Sequence, residues 1–100
     1  MKLHGVEFDP DKIGDFCRRH GVRRLSVFGS ILRDDFGPDS DVDVLVEFLP
    51  AVRASLFDIG GMLMELRQIL GRDVDLRTPG DLSRYFRDDV LAKARPLYAA

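Results

Sequence analysis

The sequence predicts an α/β fold of the α+β kind, a small mixed β-sheet of three or more strands with helices packed mainly on one face. Three observations predict it. Val42, Val44 and Val46 recur at the two-residue period of a strand, and shorter runs at Arg24–Phe28 and Val74-Asp75-Leu76 share the pattern. Between these runs lie stretches whose apolar residues are three and four apart, the spacing of one helix face. Gly and Pro punctuate the joints, at Gly21, Gly29, Gly37-Pro38, Pro50, Gly71 and Pro79-Gly80.

The elements follow in chain order. Asp9-Pro10 reads as an N-cap followed by proline at the first helical position, where its missing N–H costs nothing. The helix runs to about His20, and Gly21 ends it. Its apolar face holds Ile13, Phe16 and Cys17, so the only cysteine reads as a core residue, with no internal disulfide and no cysteine zinc set expected. The first strand, with Leu25 and Val27 on one face, breaks at Gly29-Ser30 into a short helix through Ile31-Leu32-Arg33. A loop through Gly37-Pro38-Asp39-Ser40 leads to the second strand, Val42–Phe48, after which Pro50 breaks the chain. The longest helix covers about Ser55–Leu70, with the stripe Leu56, Ile59, Leu63, Leu66 and Leu70. Met62, Met64 and Ile69 fall off that stripe beside Gly60-Gly61, a pair that costs about 1 kcal/mol per glycine relative to alanine. That face reads equally as close packing with scattered surface apolars or as a partner interface. The third strand carries Asp75. Thr78-Pro79 then opens a last helix expected to stop near Arg95-Pro96, with Leu97 and Tyr98 packing the chain end.

One domain spanning residues 1–100 is expected, with a modest core. Fifteen basic against seventeen acidic residues give a net charge of −2, which argues against bulk attraction to RNA or DNA. Arg18-Arg19-His20 with Arg23-Arg24 make a local basic patch, read as a solvated helix end or as a contact for triphosphate, RNA or an acidic partner. His4 and His20 have no companion at ligand spacing and read as surface histidines. No signal peptide and no apolar run of membrane-spanning length is evident, so a cytoplasmic setting is expected.

The chemistry concentrates in three acids and one turn. Asp41 and Asp43 are two apart at the head of the second strand, so they project from the face opposite the valine stripe. Adjacent carboxylates repel unless a positive charge lies between them, and Mg2+ takes one or two carboxylates plus phosphate oxygens. Asp75 occupies the same kind of position on the third strand. If the strands are neighbours, three aspartates converge as the protein part of a two-metal site for in-line phosphoryl displacement. Gly29-Ser30 breaks a strand and opens a helix, presenting free N–H groups to phosphate. Ser30 suits an N-cap, and Arg33, three residues on, brings a guanidinium to the same side for a bidentate phosphate contact. Glu47 and Asp73 lie on the margins of this set: Glu47 reads as a solvated strand end or an edge contact to the site, and Asp73 as a neighbour of the ligands or a solvated acid.

Gly29-Ser30, ten residues, then Asp41-Val42-Asp43 resembles the signature of the polymerase-beta-type nucleotidyltransferase superfamily. Val27-Phe28-Gly29-Ser30-Ile31-Leu32-Arg33 with Ser40-Asp41-Val42-Asp43-Val44-Leu45-Val46 is similar to its minimal, single-domain branch, and the likeness extends over most of the chain. The resemblance implies a nucleotidyltransferase fold and an antitoxin of a HEPN/MNT toxin–antitoxin pair. It implies transfer of AMP from ATP to a tyrosine of a HEPN-domain toxin with the help of two Mg2+ ions. Asp41, Asp43 and Asp75 would be the catalytic and metal-binding acids, and Gly29, Ser30 and Arg33 would bind the nucleotide triphosphate. A chain of this length leaves no room for an acceptor-binding domain, so the acceptor is expected to dock from another molecule. A homodimer, or a hetero-complex through the longest helix, is left open. The family often has Gly directly after the arginine, where this chain has Asp34-Asp35. That departure favours a second reading, a binding module that blocks its partner stoichiometrically without catalysis. A third, weaker reading is an RNA-directed transferase using the Arg18–Arg24 patch.

Overall fold

The computed structural model describes all residues, 1–100. A short hairpin comes first, β1 (Lys2–Leu3) antiparallel to β2 (Val6–Glu7). Helix α1 (Pro10–His20) follows because its start is capped: the Asp9 carboxylate accepts from the N–H groups of Asp11 and Lys12 at 2.9 and 3.4 Å. Gly21, at φ 67°, ends it in the left-handed region. A side chain there would also collide with Val52. Strand β3 (Val22–Phe28) runs into a 3-10 turn, Gly29–Leu32, and a loop leads to β4 (Val42–Phe48). Helix α2 (Leu56–Leu70) begins at a reciprocal cap, with the Ser55 hydroxyl accepting from Asp58 N–H and the Asp58 carboxylate accepting from Ser55 N–H. Strand β5 (Val74–Arg77), a 3-10 turn at Pro79–Asp81, helix α3 (Arg87–Lys93) and strand β6 (Arg95–Ala99) complete the chain.

The main sheet has the order β5-β4-β3-β6. Strands β4 and β5 are parallel, joined by α2 as the crossover, and the other pairs are antiparallel, so the sheet is mixed. Val42, Val44 and Val46 face α1 and α2 with Leu25 and Val27, and a cluster of 17 buried residues forms there around Ile13, Phe16, Cys17, Met62, Leu66 and Leu70. Each fully buried side chain of this size stabilises the fold by about 1.5–3 kcal/mol. The opposite face is narrower but also covered. Leu45, beside Asp43 on that face, is 1 % exposed, and its register partner Ser26 is buried too. The connection from β5 at one edge to β6 at the other crosses this face.

Three expectations need correction. The last helix is not continuous. The Asp81 carboxylate accepts from the Thr78 N–H and hydroxyl at 3.0 Å, closing a tight turn at Pro79-Gly80, and Arg87 donates to the carbonyls of Pro79 and Leu82. Helix therefore forms only at α3. Pro96 is not simply a stop but part of β6, an edge strand, where its missing N–H is tolerated; a register shift between Leu25 and Ser26 accommodates it. Leu97 and Tyr98 lie on that strand. Second, the stripe of α2 holds at Ile59, Leu63, Leu66 and Leu70 but not at its first residue. Met62 is core, whereas Leu56 is 90 % and Phe57 94 % exposed. Third, Ser30 does not cap a helix; the turn starts at Gly29, two residues earlier than a Ser30 cap implies, is 3-10 and has Phe28 at the cap position. The β1–β2 hairpin was not anticipated, since two-residue strands leave no periodicity to read.

Candidate active site

Parallel pairing of β4 and β5 puts Asp43 directly opposite Asp75 in register, and antiparallel pairing of β3 puts Phe28 opposite Asp43 on the other side. Asp43 is thus flanked by a second acid and by the end of the strand that enters the Gly29 turn. Gly29 has φ 73°, and a Cβ on it would overlap the Asp43 carboxylate oxygen Oδ2. Only glycine permits both the conformation and the approach. The Ser30 backbone N–H also lies near enough to the Asp43 carboxylate to draw its pKa down. The turn and the acid strand are therefore in direct contact.

Electrostatics mark Asp43 as the strained member. Its pKa is raised, first by burial and then by the negative charges of Asp75 and Asp41; Arg77 and the Ser30 N–H pull the other way. Asp75 is half-buried and its carboxylate accepts from Arg77 Nε and Nη2 at 3.0 and 3.2 Å. Asp41 is exposed and stands just outside β4, between Ser40 and Val42, whose N–H donates to the Asp73 carbonyl at 2.9 Å. These residues fit a cation in one respect: burial, and then the charges of Asp75 and Asp41, disfavour the Asp43 carboxylate, and a divalent ion beside it would offset both. They do not form a closed set, because no three ligating side chains converge and Asp75 is engaged by Arg77. Asp41 and Asp43 are the pair that would hold Mg2+, with Asp75 able to join once Arg77 lets go.

Beside the turn opens a cleft of about 450 Å³ lined by Phe28, Gly29, Leu32 and Arg33 on one wall and by Asp89, Val90 and Lys93 of α3 on the other. Arg33 is exposed and its Nε donates to the Asp35 carboxylate at 3.1 Å, and Lys93 pairs with Asp89 at 3.2 Å. Each wall thus carries a cation held by a neighbouring acid. The α3 wall was missed in sequence because that segment read as the middle of one long helix. Arg77 was legible: it lies two residues beyond Asp75 on a strand, hence on the same face. Glu47 is remote from the acids, paired in register with Arg24, whose Nη1 is 3.8 Å away. Asp73 is exposed, with Arg67 3.8 Å away.

Residues 11–98 match the family described as the nucleotidyltransferase domain. The chain belongs to that family. Among relatives of this nucleotidyltransferase, a candidate protein adenylyltransferase of Methanocaldococcus jannaschii is 37 % identical over 83 residues, covering 83 % of this chain and 87 % of the relative. The protein adenylyltransferase MntA of Thermococcus cleftensis is 43 % identical over 75 residues, covering 73 % of this chain and 72 % of the relative. A solved structure described as a candidate minimal nucleotidyltransferase superposes with a TM-score of 0.72 at 34 % identity, covering 87 % of each chain. Two more distant solved structures share the nucleotidyltransferase fold. One is a toxin–antitoxin with AMP-PNP, with a TM-score of 0.71 at 21 % identity over 92 % of this chain and 74 % of that one. The other is a tri-AMPylated Shewanella oneidensis HEPN toxin in complex with an MNT antitoxin, with a TM-score of 0.63 at 22 % identity over 91 % of this chain and 70 % of that one. No helix of the chain is long and apolar enough to cross a membrane.

Proposed function

We propose that this nucleotidyltransferase moves AMP from ATP to a hydroxyl of a partner protein, a HEPN-type toxin, and so acts as a cytoplasmic antitoxin. The observation that carries the reading is the contact between the Gly29-Ser30 turn and Asp43, with Asp75 in register beside it. Support for the acceptor class comes from the relatives named protein adenylyltransferases and from the fold shared with an antitoxin bound to an AMPylated HEPN toxin.

In this mechanism Asp41 and Asp43 would hold Mg2+, and Asp75 would add a ligand for a second ion or take the acceptor proton. Bound Mg2+ would supply charge neutralisation and lower the pKa of the attacking hydroxyl. The Gly29-Ser30 backbone and the Ser30 hydroxyl cradle the terminal phosphates, and Arg33, released from Asp35, neutralises charge developing there. The acceptor oxygen attacks the α-phosphorus. The bond to the bridging oxygen of the β-phosphate breaks, pyrophosphate leaves, and the hydroxyl proton passes to Asp75 or to solvent. Positioning and electrostatics do most of such work.

The test is to mix the protein with the product of its neighbouring gene and Mg-ATP and to weigh that product intact. One or more added AMP masses are expected, lost in Asp41→Ala and Asp43→Ala. An unchanged mass across all four nucleoside triphosphates, with both proteins folded, overturns the reading. A second reading has its own observation: Asp35, in the acidic pair beside the turn, already occupies Arg33. A non-catalytic blocker would silence its partner at one copy each and ignore ATP, whereas the transferase acts substoichiometrically.

A further inference from the structure

Arg72 is absent from every role assigned above, yet it is the most heavily bonded arginine next to the site. It follows Gly71, the left-handed cap of α2, and precedes β5 by two residues. Its Nη2 donates to the carbonyls of Gly37 and Ser40, each at 2.8 Å, and of Pro38 at 3.3 Å. Its guanidinium carbon lies 4.7 Å from the centre of the Phe36 ring, and the His4 ring centre lies 5.3 Å from the same ring. Phe36 itself is buried and belongs to the core cluster. The same loop is closed on itself, since Ser40 N–H donates to Gly37 carbonyl at 3.1 Å and Ser40 Oγ accepts from Gly37 N–H at 3.0 Å.

The three carbonyls belong to the loop between the Gly29 turn and Asp41. Asp41 lies outside the sheet ladder, so its position is set by its neighbours: Val42, tied to Asp73 carbonyl, and Ser40, tied to Arg72. Both anchors come from the two residues that lead into β5, the strand carrying Asp75. Arg72 therefore couples the backbone just before Asp41 to the root of the strand that bears the third acid. The planar guanidinium suits this: its flat face stacks on Phe36 while Nη2 donates to the carbonyls, and a lysine ammonium keeps donors but loses the stacking face that fixes them in place.

We infer that Arg72 is a positioning residue, fixing Asp41 at the distance from Asp43 at which the pair holds a divalent cation. The inference rests on the proposed role of Asp41 and Asp43 as metal ligands. Arg72 touches neither substrate nor cation; its effect passes through the Ser40 carbonyl to the next residue.

The experiment measures Mn2+ binding by water-proton relaxation, with and without a non-hydrolysable ATP analogue, alongside Tm and amide exchange of residues 37–41. Wild type, Asp41→Asn, Arg72→Lys and Phe36→Leu are compared. Phe36→Leu keeps an apolar core side chain and removes only the stacking platform, so it serves if Arg72→Lys fails to fold. Wild type is expected to bind Mn2+ in the ternary complex and Asp41→Asn to lose it. Arg72→Lys is expected to weaken Mn2+ about tenfold, Phe36→Leu severalfold, both with faster exchange at residues 37–41. In the Asp41→Asn background neither should weaken binding further. A folded Arg72→Lys that binds Mn2+ like wild type, with only Tm lowered, overturns the inference and leaves the active-site reading intact. Unchanged Mn2+ affinity in Phe36→Leu, should Arg72→Lys not fold, does the same. No Mn2+ binding by wild type overturns the reading itself and the inference with it.

Discussion

Gly29 is the residue on which turn and acid strand meet, and it is constrained twice. Its φ of 73° is costly for any residue with a Cβ, by roughly 1–2 kcal/mol, and its missing side chain leaves the room in which the Asp43 carboxylate sits. Gly29→Ala should therefore damage function beyond its cost in stability. The Cβ displaces the Asp43 carboxylate, and misplacement of a reacting group by about 1 Å costs on the order of 100-fold in rate. Single-turnover AMP transfer checks this at a temperature where both proteins are folded by circular dichroism; a variant within a factor of three of wild type contradicts it. Cys17 is constrained differently. It is fully buried and burial raises its pKa to about 12, so the thiolate that reagents attack is scarce. The native protein should resist iodoacetamide at pH 8 for hours and react once urea unfolds it.

At the scale of elements, the sequence and the structure agree where a period was long enough to read and part where other forces choose. The acid strand was legible because Val42, Val44 and Val46 alternate over a full strand and Asp43 must then face the other way. Helix α1 was legible from Asp9-Pro10 and Gly21, two local signals with one geometric meaning each. The pairing of Asp43 with Asp75 was foreseen as a condition on strand order, which no local pattern fixes. Strand β6 was not foreseen. Its proline looked like a helix terminator, and only the open edge of β3 makes a strand of it. The stripe of α2 was read correctly at Ile59, Leu63, Leu66 and Leu70, but Leu, Ile and Met crowd every side of that helix, so periodicity alone included the exposed Leu56 and left out the buried Met62. The correction is testable. Leu66→Ala should cost about 2–5 kcal/mol, as for other buried leucines, whereas Leu56→Ala on the exposed side should stay within about 0.5 kcal/mol. Urea unfolding of both variants decides; equal losses would return Leu56 to the core.

Across the whole molecule the titrating carboxylates pull stability in opposite directions with pH. Glu65 of α2 receives Arg19 and His20 from the end of α1, tying together the two helices on the core face of the sheet, and these partners hold its pKa below the ordinary glutamate value of 4.5. Asp58 and Asp81, each accepting in a turn or cap, are lowered as well. A group lowered on folding contributes stability that is complete above its unfolded pKa and disappears as pH falls through the folded value. Asp43 has the opposite sign. Its pKa is raised, so its charged form opposes folding at neutral pH and protonation relieves that opposition as pH falls. The active-site acid is therefore kept at a cost in stability that the ion cluster at the α1–α2 contact helps to offset. In metal-free buffer, Glu65→Gln should lower Tm at pH 7 and flatten its decline below about pH 4.5. Asp43→Asn should raise Tm at pH 7 and steepen the same decline, and its Tm should no longer rise with Mg-ATP. Thermal melts from pH 7 to pH 3 separate the two, and parallel Tm curves for both variants and wild type would contradict the opposed signs.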